Sequence, residues 1–261
     1  MPKRDLYFRS PILNAAGMLG FALDPRQKPV FSEKTGFWDW EELGAFVTNP
    51  ISWRPRKPTG HPVVMEYPGG FLLHTGLPNP GFPSAVKKYA HKWADASLPV
   101  IVHLMADRPE ETARMVEALE RVENVMAAEL GFAPLLADEI ILTAVEMSLG
   151  ELPLIASLPM EQAVRLGPRV MEAGATAVSL CAPRGLQMTD NRSLITGRLY
   201  GPSLFPQSLE IVSRLARAGV PTIGSGGIYK EEQARAMLEA GAMAVQLDAV
   251  LWRGGYYRSI E

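Results

Sequence analysis

Cysteine is almost missing from the 261 residues: Cys181 stands alone, which excludes an internal disulfide and fits a reducing, cytoplasmic setting. Long apolar runs are missing too. None approaches the ~20 residues of a membrane span, and the opening MPKRDLYFRSP reaches Pro11 without the apolar core of a signal peptide, so no membrane association is expected. An excess of one charge is also lacking. The net charge is −2 and the Lys and Arg residues are scattered singly, which leaves out the basic footprint of a nucleic-acid binder. His61, His74, His91 and His103 form no H-x-H or H-E-x-x-H pattern, so no metal site is expected. The implied partner is a small-molecule substrate, and a homo-oligomer remains compatible with everything here.

What is present is a repeated apolar, β-rich run. It recurs at ILNAA (12–16), AFVT (45–48), PVIVHLM (99–105), VMAAEL (125–130), LPLIAS (152–157), TAVSL (176–180), PTIGS (221–225) and MAVQL (243–247). Amphipathic stretches lie between, such as PEETARMVEALERV (109–122), where Pro109 and the early glutamates suit a helix start. Near-continuous apolar strands alternating with helices predict a parallel sheet covered on both faces, and eight of them predict an α/β (β/α)8 TIM barrel, one domain over 1–261. An internal echo agrees. EAGATAVSL, RAGVPTIGS and EAGAMAVQL each read as helix end, glycine, strand. Gly219 and Gly241 lie 22 residues apart and Gly174 and Gly219 lie 45 apart, so the intervening connection, about 182–203, carries extra chain and reads as a candidate lid. The other long segments are an insert at 17–44 and a Pro-rich, irregular 50–83 with a hairpin signal at YPGGFLL.

Barrel chemistry sits at the C-terminal ends of the strands. Here those positions are Ala16 and Gly17, Asn49 to Ser52, Ala106 and Asp107, Glu129 to Phe132, Ser157, Cys181 to Gly185, Ser225 to Gly227, and Asp248 with Ala249. No lysine falls among them, which excludes Schiff-base chemistry. Glu129 and Asp107 are the best candidates for proton transfer, though each could pair instead with an arginine such as Arg108 or Arg184. His103 lies inside a strand, where an interior hydrogen-bonded histidine is the plainer reading, and Cys181, which ends a strand and could face the site, reads first as a small buried hydrophobe.

Several segments resemble, in order, the dihydroorotate dehydrogenase family of FMN-dependent barrels. NAAG (14–17) is similar to its first flavin-contacting turn, GAFVTNPIS (44–52) to its second strand, and GLPNPG (76–81) to the loop that follows. GRLYGPSLFPQSLEIVSRL (197–215) is similar to its G-x-L-S-G-P segment and following helix, and VPTIGSGGIYKEEQARAMLEAGAMAVQLDAVL (220–251) to its phosphate-binding end. The resemblance implies an FMN contacted by Ala15, Ala16, Gly17, Asn49 and Ser157 at the ring, and by Gly201, Gly226, Gly227, Asp248 and Ala249 at the phosphate. Gly226 and Gly227 close a strand and open a helix, where backbone N–H groups can approach a phosphate; a tight turn alone would also explain them. His74 directly precedes the T-G-L-P-N that packs over the flavin in the family, which makes it a catalytic candidate.

The departures cluster where the family does its chemistry. ELGFAPLLADE (129–139) stands where the family carries an N-x-S-x-P-N type signature and a Cys or Ser base, and it holds no Cys, Ser, Thr or Asn. Asn49 and Ser157 replace two lysines, Leu73 and the Cys181–Ala182 pair replace two substrate-holding asparagines, and only Asn79 remains for substrate binding. Each polar partner lost around a buried polar ligand costs about 1–3 kcal/mol, which excludes dihydroorotate as the expected substrate. Asp248 and Ala249 replace a small Gly-Thr pair, and an ionised aspartate within ~4–6 Å of a phosphate repels it unless the side chain points away. The expectation is therefore a divergent FMN-dependent oxidoreductase acting on another substrate. The alternatives are a non-redox barrel enzyme for a phosphorylated or pterin-like ligand, and a catalytically silent barrel subunit.

Overall fold

The computed structural model describes residues 5–23, 43–60, 63–134, 136–189 and 191–252. His61 and most of the insert at 17–44 lie outside them. In chain order the elements are β1 (Ile12–Asn14), β2 (Phe46–Val47), β3 (Val63–Tyr67), β4 (Gly70–His74), α1 (Phe82–Ala94), β5 (Val100–Met105), α2 (Pro109–Leu119), β6 (Val125–Gly131), α3 (Asp138–Met147), β7 (Leu154–Pro159), α4 (Met160–Glu172), β8 (Ala177–Cys181), β9 (Arg184–Met188), β10 (Leu194–Tyr200), α5 (Phe205–Arg217), β11 (Thr222–Ser225), α6 (Glu231–Glu239) and β12 (Ala244–Leu247).

The eight apolar runs form one parallel sheet in the order β1-β12-β11-β8-β7-β6-β5-β2, a nearly closed TIM-type barrel with helices outside. Its seam is closed by a side chain. Asn14 of β1 is fully buried; its Oδ1 accepts from Val47 N (2.9 Å) and its Nδ2 donates to Val47 O (2.7 Å), copying the ladder that β1 and β2 are too short to make alone. A single parallel bridge from Leu13 to Ala45 completes the closure.

Side chains on a strand alternate between the lumen and the helices. Leu13, Ala45, Val47, Ile101, Ala127, Ile155, Ile223 and Ala244 pack together as a separate apolar cluster, one or two from each of seven strands or their edges, and this cluster plugs the lower barrel. Val178 and Val245 point the other way, into the larger core beneath the helices. Ile101, Val178, Ile223 and Val245 are all fully buried, as strand residues of a covered sheet should be.

A second sheet sits apart from the barrel ladder. β3 and β4 form the hairpin signalled by YPGGFLL, and the candidate lid at 182–203 folds as a second hairpin, β9 and β10. Its sequence explains this: RGLQM and LITGRLY flank a polar turn, and their exposure alternates along β9 as a half-buried strand requires. The two hairpins join through β4 and β10, with Phe71 opposite Tyr200 and Leu73 opposite Arg198, giving an antiparallel cap in the order β3-β4-β10-β9. Among the described residues no helix is long and apolar enough to cross a membrane.

Candidate active site

One residue pair above the apolar plug, the lumen turns polar. His103, Glu129, Ser157, Ser225 and Gln246 each follow a plug residue of their strand by two positions, and all five are buried. Period two therefore lifts a polar layer to the barrel mouth. Glu129 is its hub. His103 Nδ1 stands 2.7 Å from Glu129 Oε2, while Ser179 Oγ (2.6 Å) and Gln246 Nε2 (2.8 Å) both donate to Oε1. Burial alone would raise the pKa of Glu129, but the hydrogen bond and charge of His103, with the bonds from Ser179 and Gln246, outweigh it and hold the carboxyl below its ordinary value. An ionised Glu129 can only accept, which puts the His103 proton on Nδ1 and leaves Nε2 turned towards Gly131. Gly131 makes this possible: any Cβ there would collide with the imidazole.

A cleft of about 240 Å³ opens above this layer, just under the range of about 300–1,000 Å³ usual for ligand pockets. The strand ends form its floor and the cap sheet one wall, through Leu73 and Thr75 on one side and Arg198 and Tyr200 on the other. Arg198 of β10 is the cation of this lining; its guanidinium donates to Ala182 O (3.3 Å) and lies beside Cys181. Burial pushes the Cys181 thiol up, with Arg198 pulling partly against it. Tyr200 is buried between Phe71 (ring centroids 5.6 Å) and Trp252 (6.4 Å), and burial pushes its phenol up to about 12.

Of the residues expected from sequence, Ala15, Ala16, Gly17, Asn49, Glu129, Ser157 and Asp248 line this cleft. The others do not. Asp107 is exposed at the end of β5 with Arg56 and Arg108 near it, and His74 sits half-buried at the end of β4, opposite Val63. Asn79 is buried but engaged in its own loop, accepting from Ser52 N and Gly81 N and donating to Leu77 O. Gly201 lies against the Gly69–Gly70 turn of the cap, Gly226 against Met160 and Ser208, and Gly227 against Phe205, so each is a close packing point. Sequence reasoning missed Arg198, Tyr200 and Gln246 as cleft residues, and it left His103 as a core histidine. The signal for Gln246 was a lone amide inside the apolar run MAVQL; Arg198 gave none, because only the pairing of β10 with β4 aims it at the cleft.

Comparison with known proteins gives the chain its relatives. No family model matches it. Curated sequences do: it is 30% identical to dihydroorotate dehydrogenase B (NAD(+)), catalytic subunit, of Pelobacter propionicus over 93% of this chain and 84% of that protein. The protein of the same name from Thermodesulfovibrio yellowstonii is 30% identical with the same two coverages, and that of Geotalea daltonii is 30% identical over 92% of this chain and 82% of its own.

The chain belongs to the dihydroorotate dehydrogenase family.

The FMN implied by the resemblance meets two unlike ends in this member of the dihydroorotate dehydrogenase family. At the ring end, Ala15, Ala16 and Gly17 offer small side chains and Asn49 is held by the turn it braces, its Oδ1 accepting from Gly20 N (3.1 Å), so a flat ring fits. At the phosphate end it does not. The Asp248 side chain is buried there, its Oδ1 has no hydrogen-bond partner, and the backbone N–H groups of Ala249, Gly227 and Val250 only partly offset the rise in pKa that burial causes. A phosphate on those donors would share them with an aspartate.

Proposed function

We propose that the chain is an oxidoreductase whose substrate is not dihydroorotate, with a flavin-class ring over Ala15 to Gly17, Asn49 and Ser157, and with His103 as the proton-transfer group of the cleft. The supporting observation is the His103–Glu129 pair. It brings a positioned imidazole to the mouth of a barrel whose 129–139 segment offers no Cys or Ser base. A flavin ring supplies electron-pair chemistry itself; the chain has to bind, orient and move one proton.

Glu129 acts through His103 as a positioning residue. Its three accepted hydrogen bonds keep it ionised and fix the imidazole tautomer. Arg198 favours a substrate with one acidic group near Cys181. The edges of dihydroorotate would find Leu73 and Gly131 where they need hydrogen-bonding partners. Dihydroorotate added anaerobically to flavin-loaded protein should therefore leave the flavin oxidised; rapid bleaching would overturn the substrate assignment. In the same preparation His103→Gln should slow flavin reduction by whichever substrate is found by at least about a hundredfold, and Glu129→Gln, which leaves the imidazole in place but loosens it, should slow it less.

Asp248 favours one second reading, a non-redox enzyme for an uncharged pterin-like ring, because it opposes a phosphate but not a neutral heterocycle. A colourless protein that is stabilised against heat by a pterin and not by flavins would select it.

A further inference from the structure

Asp248 follows the last residue of β12 and leads into a single 3-10 turn, Ala249–Leu251. Its side chain is almost wholly enclosed, with 3% of its surface exposed, and it lines the cleft. A buried carboxyl normally meets a cation or a full set of donors. The described surroundings give it neither. Oδ1 has no hydrogen-bond partner, and the titratable group it acts on is Tyr200, an acid itself. What acts on it is backbone: the N–H groups of Ala249 and Val250, after β12, and of Gly227, after β11, pull its pKa down against burial. Donors from two adjacent strand ends converging on one point make an anion seat, and here the chain supplies the anion.

Protein also packs closely on the Cβ side of the three nearby glycines. A Cβ on Gly226 would strike Met160 Cε and Ser208 Oγ, one on Gly227 would strike the Phe205 backbone, and one on Gly201 would strike the Gly69–Gly70 turn, so protein packs against all three glycines. Trp252, whose Nε1–H donates to Met18 O (2.7 Å), and Tyr200 close the side.

We propose that the Asp248 carboxyl is a built-in surrogate for a cofactor phosphate, seated on the N–H groups of Gly227, Ala249 and Val250, so that the cleft takes an uncharged ring of the riboflavin class and refuses FMN. This rests on the flavin-class reading above. The anionic tail is excluded twice, by occupancy of the donors and by like charge. Burial pushes the Asp248 carboxyl up to about 6, with the backbone N–H groups of Ala249, Gly227 and Val250 opposing, so it carries charge at neutral pH.

The test is a pair of flavin-fluorescence titrations, with riboflavin and with FMN, on the full chain stripped of bound ligand, as wild type and as Asp248→Gly. Wild type should bind riboflavin at least roughly tenfold more tightly than FMN, since a misplaced like charge is worth more than the 1.4 kcal/mol of one decade. Asp248→Gly should reverse that preference, gaining on FMN while riboflavin changes little. Equal affinities in wild type, or no gain on FMN in a variant that still binds riboflavin, overturns the surrogate. Should neither flavin bind either protein, the flavin-class reading fails, and inorganic phosphate decides the surrogate by itself: it should raise the thermal midpoint of Asp248→Gly and leave wild type unchanged, and failure to stabilise the variant overturns the proposal. Asp248→Ala, which adds no backbone freedom, takes the place of the glycine variant if circular dichroism shows that variant unfolded.

Discussion

Two carboxylates lie buried at the barrel mouth, and they are opposites. Glu129 stands in the lumen and accepts from His103, Ser179 and Gln246, so its pKa falls below the ordinary value despite burial. Asp248 stands at the rim, has an oxygen without a partner, and is pushed up to about 6. Both are enclosed to nearly the same degree, at 1% and 3% exposure, so burial does not separate them. Partner count does. An acid bonded on both oxygens organises its surroundings and adds stability, whereas an acid seated only on backbone donors costs stability and occupies a place where another anion would bind.

The difference should break most visibly at Glu129. Glu129→Ala would leave His103, Ser179 and Gln246 without their common acceptor inside a dry layer, and removing one member of a buried pair costs about 3–5 kcal/mol. Glu129→Gln, which keeps an acceptor of the same shape, should lose clearly less. Urea unfolding of the three proteins at pH 7 checks the order, and equal stabilities for wild type and Glu129→Ala would contradict the network.

Asp248 should show the reverse sign on a pH axis. Its folded pKa of about 6 exceeds the ordinary value of 3.8, so between those values the native state holds a proton that the unfolded chain has released. Its contribution is complete below pH 3.8 and is lost as pH rises through about 6. A shift of that size corresponds to about 3 kcal/mol by linkage at 1.36 kcal/mol per unit. Asp248→Ala should therefore gain on wild type by about that amount between pH 4 and pH 8, measured as the difference in unfolding free energy at the two pH values. Glu129 moves oppositely. Its lowered pKa gives stability present above the ordinary glutamate value and lost as the pH falls through the folded one, so Glu129→Gln should flatten the acid limb while Asp248→Ala flattens the neutral limb.

The sequence shows why one half of this contrast was readable and the other was not. The barrel strands announce themselves, because VIVHLM, LIASLP and AVSLC are apolar enough to be buried on both faces, and the structure places a strand on every such run. Asp248 was conspicuous as a charge in a resembling segment where small residues were expected. The Glu129 network was written in the same runs, as one polar residue per strand, yet a single buried His or Ser in a strand means little until the barrel brings four strands together. The cap was the least legible part. β4 and β10 are far apart in the chain, neither is strongly apolar, and their pairing, which delivers Arg198 and Tyr200 to the cleft, is a tertiary fact with no local pattern.

Cys181 offers a third acid between the two extremes, and with it the smallest expected effect. Its thiol is pushed up by burial, as Asp248 is, but it has one partial counterweight in the Arg198 guanidinium across the cleft wall, where Glu129 has three partners. Thiolate, not thiol, reacts with alkylating agents, so the rate at a fixed pH reports how much of that counterweight acts. Iodoacetamide should label Cys181 slowly at pH 8, and Arg198→Met, which keeps the length of the side chain and removes its charge, should slow labelling by a further several-fold. The profile of rate against pH distinguishes the cause: loss of the guanidinium charge moves the midpoint upward, while a mere change in access lowers the rate at every pH and leaves the midpoint in place. A midpoint unmoved in Arg198→Met would mean that Cys181 is governed by burial alone. It would then stand apart from both carboxylates as an acid without assistance, and Arg198 would be free to hold an acidic ligand with its full charge.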